Sequence, residues 1–477
     1  MDVVILYKKQ KWRYNKVGSV AKVEKIEYEI PDALPGRHKI EGNDAYEIAI
    51  HLTNSANSKK KGGIFMSDNS TMFSERLQRI LNAVAFEQND RMPASLKVGT
   101  IYATAFGNSM YEVMINSSLY ENGIRQFFTR FHPDLAWAPL HYPIPPMETL
   151  DCQYIRWPGG GFGIPLSKGF QILDGTFIND DEFGELVFDP TKFFMTKLYP
   201  RKLKALSGFG KINLQYPIEF STFINLACFA DPEVKETMYN VMKAGDQVAK
   251  WFGDLLFTIG VIEGMGFPVG AKFAINCAFD MFADNMRGIM RVLNDMNERP
   301  EELMEVLDKL EVISIQNAVG TIRATGAKFC FIPLHNGVDS FMSRDDYVKF
   351  YWKGLKNLMM AIIDEGCIPV AFCEGQYKTR LDIISDVPKG KVMYMFEETD
   401  IKLVKETVGK VACICGNLDS ATLMYGTKEQ IINETRQIME IGAPGGGFIM
   451  DNSIVIDECD LGNLDVYFET VEKYGKY

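Results

Sequence analysis

No apolar run in the 477 residues approaches the roughly 18 that a membrane-crossing helix needs. That excludes a helical membrane protein. Positive charge is in short supply: 51 Lys and Arg face 62 Asp and Glu, for a net charge of -11. A surface of that sign repels a phosphate backbone and argues against general nucleic-acid binding. The nine cysteines are too few for a disulfide scaffold in so long a chain. The first residues, MDVVILYKKQKWRYNK, place the apolar run before the basic one, the reverse of a secretory signal. Reduced thiols in a cytoplasmic protein are therefore expected, and such thiols are available to metal. No CxxC, no HExxH and no repeat of fixed period is present. What remains, 47% hydrophobic and 24% charged residues, is the composition of a soluble globular protein, not of a disordered or fibrous one.

The first 73 residues read as an N-terminal extension, partly β. Val3 to Tyr7 and Val20 to Ile30 are expected strands, interrupted by Pro31 and Pro35, and the polar stretch Asn54 to Gly63 is a solvated loop. Residues 74–477 read differently. A helix near Ser74 places Leu77, Ile80, Leu81 and Val84 on one face. Asp231-Pro232-Glu233, Arg299-Pro300-Glu301 and Ser343-Arg344-Asp345-Asp346 are helix starts. Between the helices lie short apolar strands: Ala327 to Leu334, Ile368 to Cys373, Val392 to Phe396, Val411 to Ile414 and Gly447 to Asp451. Strands alternating with helices imply a parallel sheet, and this length suits an α/β fold of the (β/α)8 TIM-barrel type.

In such a barrel the reactive groups stand at the C-terminal ends of strands. That rule selects Cys373, Cys413 and Cys415 on strands, Asp345 at a loop-to-helix junction, and His335 and Glu374 nearby. Thiolates and carboxylates from different strands suit a zinc shell, and a catalytic zinc keeps three protein ligands and one open position. Taken singly, each thiol reads as a small buried hydrophobe and Asp345 as a favourable charge in a helix's first turn.

The segments SERLQRILNAVAFEQNDRMP, DEFGELVFDP, NMRGIMRVLNDMNERPEEL and the closing run from CGNLDSATLMYGTKEQ through GAPGGGFIMDN to GNLDVYFETVEKYG resemble the uroporphyrinogen decarboxylase superfamily. The resemblance implies a β/α barrel from about Ser74 to the C-terminus. Where decarboxylases of that superfamily carry arginines for substrate carboxylates, this chain reads GTIYATAFGNSMYEVMIN, without one. The Asp345, Cys373, Cys413 spacing is similar to the zinc motif of its phenyl methyl ether methyltransferases, of the veratrole type in particular. Cys415, Glu374 and His335 are reserve ligands.

The resemblance implies transfer of a methyl group from an aromatic methyl ether (veratrole, guaiacol or vanillate-like) to the Co(I) corrinoid (cobalamin) of a partner protein. Zn2+ would act as the Lewis acid on the ether oxygen, and no side-chain nucleophile would be needed. A homodimer is a further expectation. The alternatives are a zinc methyltransferase with another donor or a coenzyme M-type thiol acceptor, and a decarboxylase-like or non-catalytic tetrapyrrole-binding barrel. Trp157, Phe162, Phe220 and Phe223 are candidates for the walls of an aromatic slot, although each also fits an ordinary core position.

Overall fold

The computed structural model describes residues 67–476 apart from 140 and 215–218, together with the backbone of residues 3–7, 10–17 and 20–26. Pro31, Pro35, the loop at 54–63 and the end of the expected second strand lie outside the described residues. Two compact units divide between Ala45 and Tyr46. In the first, β1 (Val3–Tyr7), β2 (Gln10–Val17) and β3 (Val20–Ile26) form an antiparallel sheet in that order. The middle strand, QKWRYNKV, lacks the apolar run that marks its neighbours.

In the second unit, α1 spans Ser67–Ala85, beginning seven residues before the expected start. After several helices shorter than α1 come α2 (Glu219–Asn225) and the 33-residue α3 (Pro232–Gly264). The start of α3 follows from its sequence. The Asp231 carboxylate accepts from the backbone N–H of Glu233 and Val234, while Pro232 occupies a first-turn position that has no N–H to satisfy. The helices further along include α4 (Ala278–Phe282), α5 (Pro300–Thr325), α6 (Lys353–Asp364), α7 (Lys428–Gly442) and α8 (Leu461–Tyr474). Ser343 caps the turn leading to α6 by accepting from the Asp346 N–H.

Five strands make one parallel sheet: β4 (Phe329–Leu334), β5 (Ile368–Cys373), β6 (Met393–Phe396), β7 (Cys413–Cys415) and β8 (Phe448–Ile449). All five expected strands are present, each within a few residues of its expected bounds. Four further parallel bridges close the sheet on itself. Met450 pairs with Ala94, Ser95 with Leu135, Ala136 with Val269, and Ala274 with Phe331 of β4. Eight strand positions in one ring are a β/α barrel.

Side chains alternate across each strand and so sort into two cores. Inside the ring lie Leu135, Trp137, Phe329, Val370, Phe372, Met393, Met395, Cys413, Cys415 and Ile449. Ile80, Ala83 and Val84 of α1 belong to the same cluster and plug one end. Outside, Ile332, Leu334, Ala371, Cys373, Tyr394, Phe396 and Ile414 pack against the helices.

Charged residues of the family-like segments turn out to be clamps. Asp134, fully buried, accepts from Arg79 at 2.6 Å, from Arg91 at 2.7 and 2.8 Å and from the Ala94 N–H at 2.9 Å. It thereby ties the Asp90-Arg91 turn to the second strand position. Arg287, also buried, donates to Asp295, Asp180 and the Ile178 carbonyl. Inside the ring, Lys97 lies 3.3 Å from Asp451, both shielded from solvent. Burial raises the Asp451 carboxyl above its ordinary range, opposed by the Lys97 charge.

Candidate active site at the open ends of the strands

The groups expected to share a metal are placed apart. Asp345 is exposed in the first turn of a short helix, Arg344–Asp346. Cys373 ends β5 but faces outward, buried beside Tyr347, Tyr377 and Tyr394, where burial pushes its thiol well up. Cys413 faces inward, as does Cys415. The register accounts for this: Cys373 pairs with outward Phe396, whereas inward Met393 and Met395 pair with Cys413 and Cys415. Two thiols on opposite faces of one sheet and a solvent-exposed carboxylate do not fit a common zinc shell. Among the described residues, no group of three or more His, Cys, Asp or Glu is placed to hold a metal ion.

The reserve residues do come together. His335 follows β4 and Glu374 follows β5, both at C-terminal strand ends. The His335 Nδ1 stands 2.6 Å from an Asp284 carboxylate oxygen, and its Nε2 3.4 Å from Glu374 Oε1. Asp284 also accepts from Asn336 Nδ2 at 2.7 Å. Beneath them, the fully buried Asp280 holds the turn. It accepts from the backbone N–H of His335 (3.2 Å) and Asn336 (3.1 Å), from Asn336 Nδ2 (2.9 Å) and from the Tyr351 hydroxyl (2.6 Å). Cys277 Sγ lies 3.5 Å from it. A further carboxylate, Glu397 after β6, accepts from the Gly375 N–H at 2.6 Å.

The electrostatics follow from this packing. Burial works against a charge on His335. Hydrogen bonds to Asp284 and Glu374, with the fields of Glu374 and Asp280, outweigh it and lift the imidazole to about 11. The ring is therefore a cation at neutral pH, held between two carboxylates. Burial, reinforced by the Asp284 charge, raises the Asp280 carboxyl. A partly exposed cationic N–H at the mouth of a barrel can donate a proton to an oxygen that gains negative charge.

Sequence reasoning missed Asp280 and Asp284. They stand four residues apart in CAFDMFADN and so share a face of the turn that carries them; this spacing was the available signal. The candidate wall residues separate as well. Trp157 is buried, in edge contact with Phe162 at 5.1 Å between ring centres. Phe220 and Phe223 are 80% and 77% exposed and line no slot.

Comparison with known proteins agrees with the barrel. No curated protein matches the chain by sequence. The fold is similar to that of a methyltransferase from Methanosarcina mazei, with a TM-score of 0.55 and 15% identity, over 84% of this chain and 98% of that one. Weaker likenesses are to the IOLI protein with a binding zinc atom (TM-score 0.28, 12% identity, 44% and 79% of the two chains) and to Dispersin B (0.30, 10%, 47% and 77%). At those scores neither carries an argument. Residues 273–474, which hold Cys277, Asp280, Asp284, His335 and Glu374, match the uroporphyrinogen decarboxylase (URO-D) family model. The match covers the later part of the barrel, so that part is similar to the uroporphyrinogen decarboxylase family.

Proposed function

We propose that the chain is a methyltransferase that removes the methyl group of an aromatic methyl ether and passes it to the corrinoid of a partner protein. The observation that carries this reading is His335, held protonated between Asp284 and Glu374 at the open ends of β4 and β5. The family resemblance supplies the reaction class. The nucleophile is the Co(I) that the partner's corrinoid carries.

An aryl methyl ether resists attack because a phenolate must leave, and a free phenol has a pKa of about 10. A donor at about 11 is nearly matched to that oxygen, so proton transfer during cleavage is close to even in free energy. As the methyl–oxygen bond breaks, its electron pair stays on the ring oxygen and takes the proton from His335. Solvent then restores the proton. Asp284 orients the imidazole through Nδ1 and leaves Nε2 directed toward Glu374 and the mouth. Asp280 fixes the backbone from which both His335 and Asn336 project. With Asp345 exposed and Cys373 and Cys413 on opposite faces of the sheet, no step is assigned to zinc.

The test is a single-turnover assay of methoxyaromatic compounds, veratrole first, with chemically reduced cob(I)alamin. Methylcobalamin formation and free phenol are followed together. Both should appear in equal amounts with the wild type, and His335→Ala should slow transfer by about 100- to 10,000-fold, the usual worth of a general acid. Transfer from no methoxyaromatic, or an undiminished rate in the variant, would overturn the reading.

A further inference from the structure

The turn that carries Asp284 is gripped by a distant part of the chain. Ala283–Arg287 form one π-helical turn directly after α4, a rare geometry that is frequent at functional sites. Three of its groups bond to the segment between the second and third strand positions. Lys202 Nζ donates to the Asn285 carbonyl at 3.0 Å, the Phe177 N–H to the Met286 carbonyl at 2.8 Å, and Arg287 to the Ile178 carbonyl at 2.8 Å. Of the three, Lys202 holds the residue next to Asp284. Its own setting is unusual. Lys202 is 7% exposed, and its ammonium stands 4.0 Å from the centre of the Tyr154 ring and 5.4 Å from that of Phe177. Those two rings meet nearly at right angles. Among the described residues it has no carboxylate partner, and its one hydrogen bond is to Asn285. Neighbouring Arg201, by contrast, pairs with Glu182 at 2.6 Å. Burial pulls the Lys202 ammonium down to about 8, opposed by the Cys152 thiol. A buried cation without a counter-ion is costly, and the two ring faces offset only part of that.

We infer that Lys202 is a positioning residue: through the Asn285 carbonyl it fixes the turn so that Asp284 presents its carboxylate to His335 Nδ1. The lysine is itself held in register, since its carbonyl accepts from the Gln153 N–H at 2.9 Å and Leu203 pairs with Cys152. Contacts therefore run from Gln153 through Lys202 and Asn285 to Asp284, which stands 2.6 Å from the imidazole. Asp280 fixes the backbone of His335 and Asn336 on one side of this ion pair. On the other side, the place of Asp284 depends on how its turn is held. The inference deepens the methyl-transfer reading, on which only the rate measurement below rests.

Nitrogen-15 titration of His335 and the single-turnover transfer assay, both on the full chain, test it in wild type, Lys202→Met, Lys202→Gln and Lys202→Arg. Lys202→Met keeps the stem and removes an unpaired buried charge, so unchanged circular dichroism is expected. Lys202→Gln, which keeps a neutral donor, supplies the same readings if the first variant does not fold. Lys202→Met should lower the His335 midpoint by about 1 pH unit, the low end of what a carboxylate at this distance supplies. Transfer at saturating methoxyaromatic should slow about 10- to 100-fold, the cost of a slight misplacement, with the half-saturating concentration changed less than about twofold. Lys202→Arg keeps a cationic donor suited to stacking on the same rings and should restore most of both. An unmoved midpoint in Lys202→Met and Lys202→Gln, even alongside a lower melting temperature, would overturn the inference and leave Lys202 a structural role only. A lowered midpoint with no transfer by the wild type would support the inference and sink the reaction reading alone.

Discussion

Replacing Asp284 by Asn tests the electrostatics of the candidate site most directly. It keeps the shape of the side chain and its Asn336 contact while removing the charge 2.6 Å from His335 Nδ1. An opposite charge at that distance typically moves a pKa by roughly 1–3 pH units, so the His335 midpoint should fall from about 11 by that amount. Glu374 and the Asp280 field remain, which is why the midpoint should stay above the ordinary histidine value. The sign for stability follows: a raised imidazole stabilises the fold fully below pH 6.5, and that contribution is lost as pH rises toward 11. In the variant the loss should be smaller and end at lower pH. Nitrogen-15 titration of the imidazoles reads this out, since the chain has only five histidines and His335→Gln identifies the resonance. His141, buried and pushed down to about 4, gives an internal contrast. A wild-type His335 that titrates near 6.5, or one unmoved by Asp284→Asn, would refute the ion-pair argument.

Three other expectations follow from the packing. Asp134→Asn leaves Arg79 and Arg91 facing a neutral group in the interior and should cost about 3–5 kcal/mol, seen as a lower urea midpoint at unchanged slope. A loss under 1 kcal/mol would show that the clamp is dispensable. Of the nine thiols only Cys228 and Cys459 are not buried, so labelling of the native protein should reach at most two, with Cys459 slow because burial holds its thiol at about 12. Rapid reaction at Cys373 or Cys413 would contradict their placement. After zinc loading and desalting, Asp345→Ala and Cys373→Ala should retain the metal content of the wild type. A parallel loss in these two and in Cys413→Ala would mean that the strand ends rearrange around an ion.

Much of the barrel's second half was legible because each of β4 to β8 is a short apolar run between polar segments, and because prolines and acids mark the helix starts. The first three strand positions escaped notice, since each pairs through isolated bridges at Ala94–Ser95, Leu135–Ala136 and Val269–Ala274. Such brief pairings leave little hydrophobic pattern. The candidate site was legible in part. The rule that reactive groups follow strand ends selected His335 and Glu374. It failed for Cys373 because IPVAFC is apolar at every position, as strands buried on both sides are. Nothing in such a run tells inward from outward residues; only pairing with β6 does. The shared face of Cys413 and Cys415 needed nothing beyond the two-residue period and is what the structure has. Asp280 and Asp284 act through contacts with residues some fifty positions away, which no local motif announces.

The buried pairing of Lys97 with Asp451 and Asn452 has a bearing on how the molecule is made. It stitches the beginning of the barrel to its end across more than 350 residues, so the cylinder stays unsealed until nearly all of the polypeptide is available. A nascent chain halted before residue 448 would present an open edge at β7 and leave Lys97 without its Asp451 counter-ion. Shortening this protein from the C-terminus should therefore yield insoluble product rather than a smaller working barrel.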